Sequence, residues 1–240
     1  ARHRPTPSAS ARQRVPSVVA ATVPSQWRGP AFPAAPSEPP EEDLASPNLS
    51  SPPPAALSPL FDFSAAAAPA QRQADLEAWE RIDDVIMGGV SSSRLVLDDE
   101  SAIFEGRVRE QGGGFCGQRM RLLAEPIDLS DSEGIFVECE AATDIGPDPA
   151  TKRIWKMALR TKQDRGEVVY QCAFAPPIGE RAVVRLPFSA FRLVRGPRLV
   201  PGVPPLSAAQ TNAPFQMSLG VSQFTVSADG RALADVAEGP

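Results

Sequence analysis

Beyond about residue 80, apolar and polar positions alternate with a period of two. Ile135, Val137 and Cys139 alternate with Phe136, Glu138 and Glu140. Trp155, Met157 and Leu159 alternate with Lys156, Ala158 and Arg160. Val168, Tyr170, Cys172 and Phe174 follow the same rule, as do Phe215, Met217 and Leu219, and Val221–Val226 predicts one more strand. Period two is the mark of a half-buried strand, because successive side chains leave opposite faces. Gly146-Pro147, Pro176-Pro177, Gly196-Pro197 and Pro204-Pro205 punctuate the pattern with turns. Many short strands at such spacing predict an all-β sandwich or jelly roll. No helix-length amphipathic pattern alternates with the strands, which argues against a parallel α/β domain. Residues 71–80 predict a short helical turn that delivers Trp79.

The N-terminal third follows other rules. About half of the 27 prolines precede residue 70, and each fixes φ and removes a backbone donor. Large apolar residues are sparse there, too few to offset chain entropy. Residues 1–37 are Arg-, Ser- and Ala-rich and hold no acid before Glu38, the composition of an organelle transit segment. Residues 38–70 read as a disordered Pro/Ala/Ser-rich linker, with Leu60-Phe-Asp-Phe63 its only apolar spot, read as linker over the alternative of docking back on the domain or on a partner. Residues 71–240 are the folded domain.

A net charge of −5 argues against a general nucleic-acid binder. No apolar run is long enough to span a bilayer, so any membrane association is peripheral. Cys116, Cys139 and Cys172 are far apart and contain no C-x-x-C pair, which suits buried small hydrophobes. His3, the only histidine, lies in the leader. That removes serine triads and histidine-ligated metals from the domain.

Three motifs resemble chemistry and fail its requirements. Gly112-x-Gly114-x-x-Gly117 matches a dinucleotide fingerprint, yet Arg119-Met-Arg-Leu-Leu123 continues as strand where a helix N-terminus is required. Its glycines suit positive φ or a bulge. Asp83-Asp84 lacks a histidine or second acidic cluster; on one strand the two carboxylates would leave opposite faces. A turn cap accounts for one aspartate and a pairing with Arg119 for the other. Ser91-Ser92-Ser93 has no base beside it and suits a turn or strand edge. Arg119 near Cys116 allows a lowered thiol pKa and hence a redox role. Trp155, Lys156, Arg160 and Tyr170 mix aromatic and basic residues, as a face that stacks a glycan or single-stranded RNA would. Against this, Trp155 alternates in phase with core residues.

Trp79-x-x-x-Asp83-Asp84-Val-Ile-Met87-Gly-Gly-Val-Ser91 and Gly113-Gly-Phe115-x-x-x-Arg119 resemble the complex I intermediate-associated protein family. Phe104-Glu-Gly106, Tyr170-x-x-x-Phe174, Leu186-Pro-Phe188, Phe215-Gln-Met-Ser-Leu219 and Val221-Ser-Gln-Phe224 with Asp229-Gly230 agree, so the resemblance covers about residues 76–240. It implies a galactose-binding-like jelly-roll sandwich. It also implies a non-catalytic assembly factor that needs no cofactor and binds subunits or intermediates of a membrane electron-transfer complex. That complex is respiratory complex I for mitochondrial relatives and photosystem II for plastid ones. The Asp-Asp-Val-Ile-Met-Gly-Gly wording and Val200-Pro-Gly-Val-Pro-Pro-Leu206 look closer to the plastid branch, which favours a chloroplast over a mitochondrion. Gly117 stands where the family often has serine, and Arg181 where it usually has tryptophan. The resemblance also implies a final strand beyond Glu238-Gly-Pro240, so a fragment is expected. Asp84, Gly88, Gly89, Phe115 and Arg119 are expected to shape or support the binding surface. The alternative, a glycan- or RNA-binding module, would use Lys156 and Arg160.

Overall fold

The computed structural model describes residues 59–109, 113–141 and 154–222, with the backbones of Arg12–Val15, Thr225–Val226 and Ala232–Leu233. The remaining leader and linker positions, the Gly146-Pro147 turn and Glu238-Gly-Pro240 lie outside the described residues. In chain order the elements are β1 (Arg12–Val15), α1 (Pro69–Glu77), β2 (Trp79–Asp83), β3 (Ser92–Leu97), β4 (Ala102–Arg107), β5 (Phe115–Met120) and β6 (Gly134–Cys139). β7 (Trp155–Arg160), β8 (Val168–Phe174), β9 (Ala182–Pro187), β10 (Arg192–Arg195), β11 (Arg198–Leu199), β12 (Gln216–Ser222), β13 (Thr225–Val226) and β14 (Ala232–Leu233) follow.

Seven strands form one sheet in the order β11-β10-β8-β7-β12-β5-β2, every neighbouring pair antiparallel. Opposite it lie β1-β4-β3 and the pair β6-β9. The chain moves between these groups as it runs: β2 in the large sheet, β3 and β4 outside it, β5 back in it, β6 out again. The result is the all-β sandwich that the alternation predicts. Among the described residues no helix is long and apolar enough to cross a membrane.

The alternation translates directly into the core. Trp155, Met157 and Leu159 are at most 1% exposed, and the Trp155 ring meets Phe104 of β4 edge-on at 4.7 Å. Ile135, Val137 and Leu186 enter the same core from β6 and β9. Each such side chain contributes about 1.5–3 kcal/mol on full burial, which favours face-to-face packing of the two layers.

Two boundaries differ from the sequence expectation. Phe61 and Phe63 are buried in the core, with Phe61 edge-on to Trp79 at 5.1 Å. The fold thus takes in Leu60–Phe63, which composition had placed in the linker. Proline density there had masked two aromatics with a place to go. α1 then fastens this segment: the Arg72 guanidinium donates to the Phe63 carbonyl at 3.0 Å and to the Asp98 carbonyl at 2.6 Å. Val221–Val226 is not one strand. Val221 and Ser222 end β12, whereas Thr225–Val226 pairs with β14.

Candidate functional site

β2 ends at Asp83, and the next four residues, Asp84–Met87, form a single 3-10 turn. The turn closes through bonds from Gly88 N to the Val85 carbonyl and from Gly89 N to the Asp84 carbonyl, both 3.0 Å. Gly88 sits at φ +85, the left-handed region that L side chains resist. Met87-Gly-Gly89 is therefore the turn that its composition suggests.

Asp84 holds this turn to the domain. Its side chain is fully buried. Oδ1 accepts from the Ser91 amide at 2.9 Å, while Oδ2 accepts from Ser91 Oγ at 2.6 Å and from the Gly114 amide at 2.7 Å. The Phe115 amide adds a weaker approach at 3.4 Å. Ser91 Oγ in turn accepts from the Arg109 amide at 2.9 Å. The carboxylate is thus answered by N–H and O–H donors. Burial alone pushes its pKa up, but the bonds from the Ser91 hydroxyl and from the Gly114, Ser91 and Phe115 amides outweigh it and hold the pKa below 3.8.

The glycines make room for this carboxylate. A Cβ on Gly89 would overlap Asp84 Cγ, and one on Gly113 would lie 2.5 Å from Asp84 Cβ. The Met-Gly-Gly and Gly-Gly-Phe motifs are two walls of one seat. Asp83, one residue earlier, has a parallel arrangement. It accepts from the Ser93 amide at 2.9 Å and from Ser93 Oγ at 2.6 Å, with the Gly117 amide at 3.3 Å. The Ser91–Ser93 cluster thus supplies two buried donors, Ser91 and Ser93, around an exposed Ser92.

Two expectations are corrected here. The aspartates do not leave opposite faces, because β2 stops between them and both are buried. Neither pairs with Arg119, whose guanidinium meets Glu80 at 2.7 Å, directly across the β2–β5 ladder.

The seat presents an apolar tip. Val85 is 55% exposed, Ile86 79%, Met87 61% and Val90 57%. Leu122 is the other exposed large hydrophobe among the described residues, and it follows the far end of β5. Scattered exposed leucines are ordinary, whereas a contiguous rigid apolar group marks a contact surface. Asp84, Gly88, Gly89 and Phe115, which the sequence analysis expects to shape or support a binding surface, lie at this seat, and Val85, Ile86, Met87 and Val90 are not among the residues it names. The signal was available: Val-Ile-Met and Val flank a glycine turn and break the period of two.

The other candidates lie elsewhere. Lys156 is half-buried on the face of β7 opposite the core, in one row with Gly220 and Gly117. Desolvation pulls its ammonium pKa down to about 8. Arg160, at the other end of β7, is buried: it donates to the Lys162 carbonyl at 2.9 Å and to Gln216 Oε1 at 3.2 Å, tying the loop after β7 to β12. Among the described residues no aromatic is exposed, so the stacking surface that a glycan or RNA would use beside Lys156 and Arg160 is missing. Arg181, where the resemblance expects tryptophan, lies 3.9 Å from Glu100. All three cysteines are buried free thiols. Burial pushes each to about 12, and at Cys116 the charges of Asp83 and Asp84 add to the rise. The lowered thiol pKa considered for Cys116 is therefore reversed.

Gly88 and Gly89 are expected to respond differently to alanine. Gly89→Ala drives a methyl into a fixed, fully bonded carboxylate, an overpacking at the upper end of the usual range, about 3 kcal/mol. Gly88→Ala meets nothing within 4 Å and costs only the left-handed penalty, about 1–2 kcal/mol. Urea unfolding of the two variants measures the difference.

A search of the curated proteins returns no match. The profile of complex I intermediate-associated protein 30 matches residues 61–236, a span that includes Phe61, the Asp84 seat and the apolar tip. The chain belongs to the complex I intermediate-associated protein 30 family.

Proposed function

We propose that this protein is a non-catalytic assembly factor that binds subunits or intermediates of a membrane electron-transfer complex, and that Val85, Ile86, Met87 and Val90 are its contact surface. The family is one of assembly factors associated with complex I. The observation that carries the finer reading is four exposed apolar side chains on a turn fixed by a buried carboxylate. Full burial of each would contribute about 1.5–3 kcal/mol. Their preorganisation reduces the ordering cost that association otherwise pays. A subunit awaiting assembly exposes apolar surface, and a rigid apolar tip is complementary to it. The organelle address read in residues 1–37 belongs to the same proposal, with photosystem II as the client in a chloroplast.

Native gels of organelle extract test this. The tagged full chain is expected to co-migrate with partly assembled complex I, or with photosystem II precursors in a plastid extract. Migration of all the protein as a free species, in extracts where such intermediates are present, would refute it.

A further inference from the structure

The outer face of the large sheet holds donors that nothing answers. Trp155, Met157, Tyr170 and Cys172 enter the core, so Lys156, Ala158 and Gln171 lie on the opposite face. Ser218, between the core residues Met217 and Leu219, joins them there. Register groups these side chains. Lys156 stands between Ala173 of β8 and Gly220 of β12, and Ala158 stands between Gln171 and Ser218. Gln171 is therefore a diagonal neighbour of Lys156 across the β7–β8 ladder, within reach of long side chains. The floor beside Lys156 is bare backbone. A Cβ on Gly220 would lie 2.7 Å from the Cys116 carbonyl oxygen, and one on Gly117 2.8 Å from that of Leu219.

Gln171 is 5% exposed, yet its Nε2 has no hydrogen-bond partner among the described residues. Buried donors are normally answered, because leaving one bare costs about 1–3 kcal/mol. Lys156 is half-buried, and no carboxylate among the described residues pairs with it. Its lowered pKa is that of an ammonium that loses water without gaining an anion. The other cations of this face are committed. Arg119 meets Glu80 at 2.7 Å, Arg160 donates to the Lys162 carbonyl at 2.9 Å, and Arg192 donates to the Ser189 carbonyl at 2.6 Å.

We propose that Lys156 and Gln171 form a binding site for the carboxylate of a small organic acid, with Ser218 as a third donor. One unpaired cation matches one negative charge. The Gln171 amide and the Ser218 hydroxyl are neutral donors that occupy the remaining lone pairs of a carboxylate. A doubly charged phosphate would leave charge unanswered in a partly desolvated site. The depth of Gln171 admits only a small head group. The site shares no residue with the Val85–Val90 tip and does not depend on it.

NMR of the lysine-labelled full chain tests the assignment. The sequence has three lysines, Lys152, Lys156 and Lys162, so each signal can be followed. A bound carboxylate favours the ammonium form, so saturating acetate is expected to move the titration of Lys156 upward by at least about one pH unit. Exposed Lys162 is expected to stay where it is, and chloride at the same ionic strength is expected to move neither. Gln171→Leu is expected to weaken acetate binding at least about fivefold. Its melting temperature should hold or rise, because the change removes an unanswered buried donor. No response of Lys156 to acetate, an equal response to chloride, or undiminished affinity in Gln171→Leu would overturn the proposal. Tighter binding of inorganic phosphate than of acetate would overturn the assignment to carboxylates.

Discussion

Asp84→Ala is expected to destabilise the domain by about 3–5 kcal/mol, because three short-range donors lose their acceptor inside the protein. Those donors are the Ser91 amide, Ser91 Oγ and the Gly114 amide. They belong to segments that no regular ladder joins to one another, so losing the carboxylate frees the tip, the start of β3 and the entry to β5 together. At this chain size such a loss lowers the melting temperature by roughly 10 °C. Asp84→Asn keeps the shape and one acceptor but turns an N–H donor toward other donors, so a smaller loss of about 2 kcal/mol is expected. The pH dependence has a definite sign. The folded pKa lies below 3.8, so the stabilisation is fully present above the unfolded value and is lost as pH falls through the folded one. Wild type and Asp84→Asn should therefore converge in stability only in strong acid. Urea unfolding from pH 7 downward reads both effects.

Ile86→Asp combined with Met87→Asp is expected to have the opposite profile. These side chains are 79% and 61% exposed and make no core contact, so stability should change by less than about 1 kcal/mol. Binding should suffer heavily, because two buried apolar contacts are exchanged for two carboxylates that an apolar partner cannot solvate. A loss of about 3–6 kcal/mol, at least a hundredfold in affinity, is expected. The measurement is loss of co-migration with assembly intermediates at an unchanged melting temperature. Asp84→Ala loses both properties and the tip variant only one, which separates the support from the surface it presents.

The sandwich was legible because apolar residues alternate within β6, β7, β8 and β12, and those alternating residues are the ones that enter the core. The rejection of the dinucleotide fingerprint was legible for a related reason: the residues after Gly117 continue as strand, and Gly117 itself lies within β5. The Asp84 seat was only half legible. Its two walls are 24 residues apart in sequence, Gly89 to Gly113, and nothing local reveals that they meet at one carboxylate. The reading of opposite faces assumed that the strand ran through both aspartates, whereas it ends at Asp83. Arg119 was assigned to an aspartate by charge alone, and register gave it Glu80 instead. Arg160 does lie on the face away from Trp155, as parity requires, but it is buried there against the loop that follows β7. Burial on an outer face depends on what covers it, and period two carries no information about that.

Site-specific cross-linking tests the central claim most directly. A photoreactive residue in place of Ile86, in the full chain, is incubated with extract containing assembly intermediates and illuminated. The same residue in place of Leu122, exposed beyond the opposite end of the β2–β5 ladder, serves as the comparison. The account predicts cross-links from position 86 to a subunit of the electron-transfer complex, and none to that subunit from position 122. Cross-links to the subunit from position 122 alone, while the chain still co-migrates with intermediates, would contradict it.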